Sequence, residues 1–93
     1  MNANSKQVRE ILPLLLLAAT MRRDDSGEAL TVKALDLHGA RCWIASFMAD
    51  VPEFSTRSLS AAMESFGATR SLAGGMTTYR LSPAVLLNIV KPE

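Results

Sequence analysis

Phe54-Ser55-Thr56-Arg57-Ser58-Leu59 runs through Met63 and Phe66 to Gly67, and Thr69-Arg70-Ser71-Leu72-Ala73-Gly74-Gly75-Met76-Thr77-Thr78-Tyr79-Arg80-Leu81 follows. Ser55 can offer its hydroxyl to the unpaired N–H groups of a first helical turn. Leu59, Ala62, Met63 and Phe66 then recur at i, i+3, i+4 and i+7, one buried stripe. Gly67 suits the left-handed position that closes a helix. Gly74-Gly75 is a two-residue hairpin turn of the primed type. It sets Leu72 opposite Thr77, Arg70 opposite Tyr79 and Ala68 opposite Leu81. In that register Leu72, Tyr79 and Leu81 are expected to face the helices, and Thr69, Ser71, Thr78 and Arg80 to face water.

Downstream, Ser82-Pro83 is a helix start with cap and proline in their favoured order. The last helix runs to about Val90, with Val85, Leu86, Ile89 and Val90 as its packing face. Upstream, Pro52 disfavours helical geometry at Val51 and closes a helix that starts at Ala40. In that helix Trp43 pairs with Phe47 and Ile44 with Met48 at i,i+4, the densest apolar patch of the chain. Gly39 is read as interrupting or ending the element before it. There, Leu30 to Val32 fits a short strand leading into a helix from Lys33. Residues 22–27 are polar, end in glycine and read as a loop.

The first helix is expected from an N-cap at Ser5 to about Arg22, with Val8, Ile11, Leu12, Leu15 and Ala19 on its core stripe. Pro13 disfavours a helix interior by about 3 kcal/mol. The regular helix is therefore expected to start nearer Leu12, after an extended or kinked lead-in. Leu14, Leu17 and Met21 fall opposite the core stripe. They either pack under the last helix or form a seam with another molecule, and a homodimer through these three residues is the preferred reading.

The 93 residues make one domain with enough apolar side chains, 48%, for a core. Ten basic against nine acidic residues leave the charge near zero, unlike a generic polyanion binder. The lone Cys42 has no disulfide or zinc partner and is expected to be a buried, inert thiol in a reducing, cytoplasmic setting. Lys6 and Arg9 before the apolar run 11–19 resemble a signal peptide's start. The run falls far short of the roughly 20 residues that span a bilayer, and a helix of the folded domain is the better reading, without membrane insertion.

No enzyme is expected. His38, the only histidine, has Asp36 and Arg41 nearby but no nucleophile, and reads as a helix-terminal or partly buried side chain. Asp24, Asp25 and Glu28 lack the calcium-loop pattern, and neither Ser26-Gly27 nor Gly74-Gly75 has phosphate-loop spacing. Neither metal nor cofactor is expected.

A capped helix followed at once by a hairpin resembles the winged helix-turn-helix superfamily over residues 30–82. The fold class expected from it is mainly α with a small β-hairpin. The resemblance implies a DNA-binding regulator of transcription or replication, with double-stranded DNA as partner, a recognition helix at 56–66 and a wing at 69–81. Carried onto this chain, Thr56, Arg57, Ser60, Ala61 and Glu64 face the groove, and Arg41, Arg70 and Arg80 add phosphate contacts. From residue 40 to 81 there are four arginines, three acids and no lysine. That balance keeps a second implication open, a protein–protein module (subunit or inhibitor) on the same scaffold. DNA binding requires the arginines to converge on one face with the acids turned away.

Overall fold

Tyr79 is the largest wholly buried side chain, and Leu12, Leu15, Leu37, Leu59, Met63, Leu81 and Ile89 share the core with it. The structure, a computed structural model, describes residues 2–91. In chain order these form α1 (Ser5–Ala18), β1 (Arg22–Arg23), β2 (Leu30–Lys33), α2 (Ala34–Ala45), α3 (Thr56–Ser65), β3 (Thr69–Ala73), β4 (Met76–Leu81) and α4 (Pro83–Val90). The strands make one antiparallel sheet in the order β1-β2-β4-β3. The architecture is thus mixed α/β, four helices with a four-stranded sheet, where a mainly α fold with a small β-hairpin was expected. The difference arises because β2 pairs with β4, Val32 opposite Tyr79 and Leu30 opposite Leu81. A pairing between segments so distant in sequence leaves no local pattern.

Helix α1 begins one residue early. Asn4 Oδ1 accepts from the Gln7 N–H, and Gln7 Oε1 accepts from the Asn4 N–H, both at 2.9 Å. This reciprocal box satisfies two end groups at once, so Asn4, not Ser5, is the cap. The helix also continues through Pro13. The proline costs about 3 kcal/mol, but Val8, Leu12, Leu15 and Leu16 are all buried, each contributing about 1.5–3 kcal/mol. Burial on both sides of the proline outweighs its penalty. Ile11 and Ala19 are half-buried and pack on the core edge. The helix stops at Ala18, because Ala19 is extended and Arg22-Arg23 pair with Leu30-Thr31 as a short edge strand, not a loop.

Helix α2 runs unbroken through Gly39, against expectation. Leu37, Ala40 and Ile44 are buried on its inner side, while Gly39 faces open space, with nothing within 4 Å of where a Cβ would lie. The inward stripe carries the helix past its weakest residue.

The elements after Pro52 follow the sequence closely. Ser55 caps α3 by accepting from the Ser58 N–H at 3.1 Å, and Leu59, Ala62 and Met63 are buried beneath it. Gly67, at φ +99°, ends the helix. Gly74 and Gly75, at φ +60° and +77°, make the primed turn, with Leu72 opposite Thr77 and Arg70 opposite Tyr79. Leu72 departs from expectation. It shares the inner face with Tyr79 but lies out along the hairpin, where no helix covers it, and is 72% exposed. Ser82 caps α4, which buries Val85 and Ile89 and half-buries Leu86, while Val90 points to solvent rather than to the core.

Inside, the Tyr79 hydroxyl and Ser60 Oγ are hydrogen-bonded at 2.7 Å, which ties β4 to α3. Either deletion strands a buried polar group. Tyr79→Phe and Ser60→Ala should each lower unfolding free energy by about 1–2 kcal/mol, and the double variant by clearly less than the sum. Urea denaturation of the four proteins reads this directly, and strict additivity would remove the coupling.

Candidate functional site

Helix α3 turns Leu59, Ser60, Ala62 and Met63 inward, leaving Thr56, Arg57, Ala61 and Glu64 exposed on its outer side. Ser60, expected to face a ligand, is only 3% exposed and bonded to Tyr79; its hydroxyl is a packing element. Thr56, at the start of the helix, is hydrogen-bonded through Oγ1 to His38 Nε2 at 2.9 Å. His38 also stacks against the buried Phe54, with ring centroids 5.0 Å apart. It therefore braces α2 against the entry to α3. The hairpin turn comes to the same place, since Ala34, His38, Thr56, Gly75 and Met76 line one cleft of about 320 Å³.

The arginines are distributed differently from what a converged basic face requires. Arg57 makes no ion pair among the described residues. Arg70 Nε lies 3.4 Å from Glu64 Oε1, joining the base of the hairpin to α3. Arg80 Nε donates to Asp24 Oδ2 at 2.7 Å. The alternation that buries Tyr79 turns Arg80 to the opposite face of the sheet, away from α3. Arg41, with its side chain only 15% exposed, reaches Glu53 Oε1 at 3.9 Å and donates to Cys42 Sγ at 3.2 Å. Thus Thr56, Arg57 and Ala61 share the α3 face with Arg70 at its edge, while Arg80 lies on the opposite face of the sheet and Arg41 is engaged with Glu53 just before α3. Such partly exposed pairs contribute about 0–1 kcal/mol, weak enough to be exchanged for another anion.

The sheet's outer face extends past the hairpin through β2 to β1. Register places Arg22, Thr31, Arg80 and Thr69 in one cross-strand row, and Lys33, Thr78 and Ser71 in the next. The apolar surface also differs from expectation. Trp43 and Phe47 pack edge-on, ring centroids 4.8 Å apart, yet both point to solvent with Met48, and only Ile44 of that cluster is buried. Leu14 and Leu17 join Leu35 and Trp43 in lining a groove of about 470 Å³ between α1 and α2. Met21, expected with them at a seam, is half-buried against the core. Cys42 is exposed, not buried.

Among the described residues no three His, Cys, Asp or Glu side chains cluster as a metal site, and no helix is long and apolar enough to cross a membrane. Comparison with protein-family models, characterised proteins and solved structures found no match.

Two groups couple the stability of the fold to pH. Asp24 is held down at about 2, from its usual 3.8, first by the Ser26 hydroxyl and then by the Arg80 guanidinium. Burial, and then the Arg41 charge, lower the His38 pKa below its usual 6.5. In both cases the unfolded chain takes up protons first, so stability falls with acid. The His38 contribution should be lost as pH drops through 6.5 and below, and that of Asp24 between 3.8 and about 2. Urea midpoints measured from pH 7.5 to 5 should fall for the native chain and flatten for His38→Gln. A midpoint that rises on acidification would contradict the assignment.

Proposed function

We propose that this chain is a winged helix-turn-helix module that binds double-stranded DNA through α3, with the β3–β4 hairpin as the wing. The observation that carries this reading is the presentation of α3. Its inner side is held by burial of Leu59 and Met63 in the core and by the Ser60–Tyr79 bond to β4. Its outer side offers the short side chains of Thr56 and Ala61 beside Arg57, with Glu64 farther along, and the hairpin turn sits beside its first turn. A ten-residue helix is about 15 Å long, and small outward residues let its axis approach the base edges of a groove about 12 Å wide. Arg57 suits guanine or phosphate, and Thr56 a phosphate oxygen. The corrected contact set is Thr56, Arg57, Ala61 and, after exchange of its partner, Arg70.

Glu64 works against this set, because it holds Arg70 at the edge of the same face. Neutralising it should release one cation and remove one repulsion. In fluorescence anisotropy with duplex DNA, Arg57→Ala should weaken binding about tenfold or more, and Glu64→Gln should tighten it severalfold. With so few phosphate contacts, log K should fall with log salt at a shallow slope of about −2 to −4. Absence of binding at low salt would overturn the reading.

One observation favours a second reading, a protein–protein module on the same scaffold. Three of the four arginines counted in the sequence already sit against acids, which suits a surface that does not need to attract a polyanion. Under that reading Glu64→Gln leaves DNA affinity undetectable.

A further inference from the structure

Helices α1 and α2 leave one broad face without a partner. Leu17 is 85% exposed, Leu35 69%, Trp43 62% and Phe47 71%. With Leu14, these side chains expose roughly 650 Å² of apolar surface, given about 150–250 Å² for a whole aromatic side chain. The largest patch on an ordinary monomer is about 300–600 Å², and each partner of a standard protein interface contributes about 800 Å². The face is therefore the size of one half of a stable interface.

Its chemistry narrows the occupant. No charged residue lies between Glu10 and Arg22, and among the described residues Asp36 is the one ionisable group lining the groove. In a twofold interface each group near the axis meets its own copy, so a charged face repels itself and an uncharged one does not. A patch depleted of charge and anchored by Trp and Phe also has the composition of a homodimer core. A groove and an aromatic ridge lie side by side on this face. Gly39 leaves the groove open, because it has no side chain to fill it, and the Trp43–Phe47 pair forms a ridge beside it.

We propose that this face is the seam of a twofold homodimer, in which the Trp43–Phe47 ridge of one copy enters the α1–α2 groove of the other. The seam uses none of Thr56, Arg57 or Ala61, so it stands or falls apart from DNA binding. It also revises the seam expected from α1 alone. Leu14 and Leu17 remain, α2 supplies the greater share, and Met21 takes no part.

Trp43 is the only tryptophan and thus a reporter within the seam. Light scattering after size exclusion at about 100 μM protein should give twice the 10.1 kDa chain mass. On dilution, Trp43 emission should shift to the red and become open to iodide quenching. Leu17→Glu puts a charge on the face at a position outside the core. Gly39→Lys fills the groove while replacing a poor helix former with a better one. Each should retain the native circular dichroism and weaken dimerisation about 100-fold or more. A monomeric mass at the highest concentration with Trp43 already quenchable, as a different protein partner would require, overturns the proposal. So does a dimer that survives both substitutions.

Discussion

Tyr79 joins the two halves of the molecule. Its strand, β4, lies between β2 and β3 and so receives both the segment before α2 and the segment after α3. Its ring is wholly buried, and its hydroxyl meets Ser60 on α3. Burial pushes the phenol pKa up, so the group stays neutral and remains able to share a proton with the serine. A helix resting on a sheet through apolar contacts alone can slide or rotate at modest cost. A buried hydroxyl pair has a preferred direction, and breaking it exposes two polar groups to an apolar interior. The buried stripe of Leu59, Ala62 and Met63 sets the rotation of α3, and the Ser60–Tyr79 bond adds a fixed direction to it.

The surface divides by chemistry as a consequence. The outer side of α3 carries Thr56, Arg57, Ala61 and Glu64, with the hairpin turn beside its start. The face of α1 and α2 carries exposed aliphatic and aromatic groups and almost no charge. His38 and Leu35, on adjacent turns of α2, belong to either side of that division. His38 touches the entry to α3, and Leu35 lines both the groove and the neighbouring cleft. A dimer through α1 and α2 would present two α3 helices together, and two weak contacts held on one body gain effective concentration without any new interaction. A nearly neutral chain would benefit from that arrangement, since it has few cations with which to displace counterions from a polyanion.

Where the reading of the sequence succeeded, the governing interactions span few residues. Ser55 with Ser58, Ser82 with Val85, Gly67 at a helix end and Gly74-Gly75 in a primed turn each depend on backbone geometry within about one helical turn. The α3 stripe succeeded for the same reason. Ser60 did not, because its periodicity places it at the margin of that stripe and only Tyr79, from a distant strand, draws it inside. Pro13 and Gly39 were given their intrinsic preferences, and in each case burial of the neighbouring Leu residues prevailed. Trp43, Phe47 and Met48 were recognisable as a cluster, but hydrophobicity alone does not say whether a cluster lies under the fold or on top of it.

Local chemistry in the chain thus specified the caps, the turns, the hairpin register and the amphipathic stripe of α3, since each is a contest among neighbouring backbone groups. Folding in three dimensions settled the β2–β4 pairing, the three Arg–acid pairs and the outward turn of the aromatic cluster. Those depend on which distant segments are brought together. That outcome is governed by total burial over the whole chain and not by the preference of any one residue.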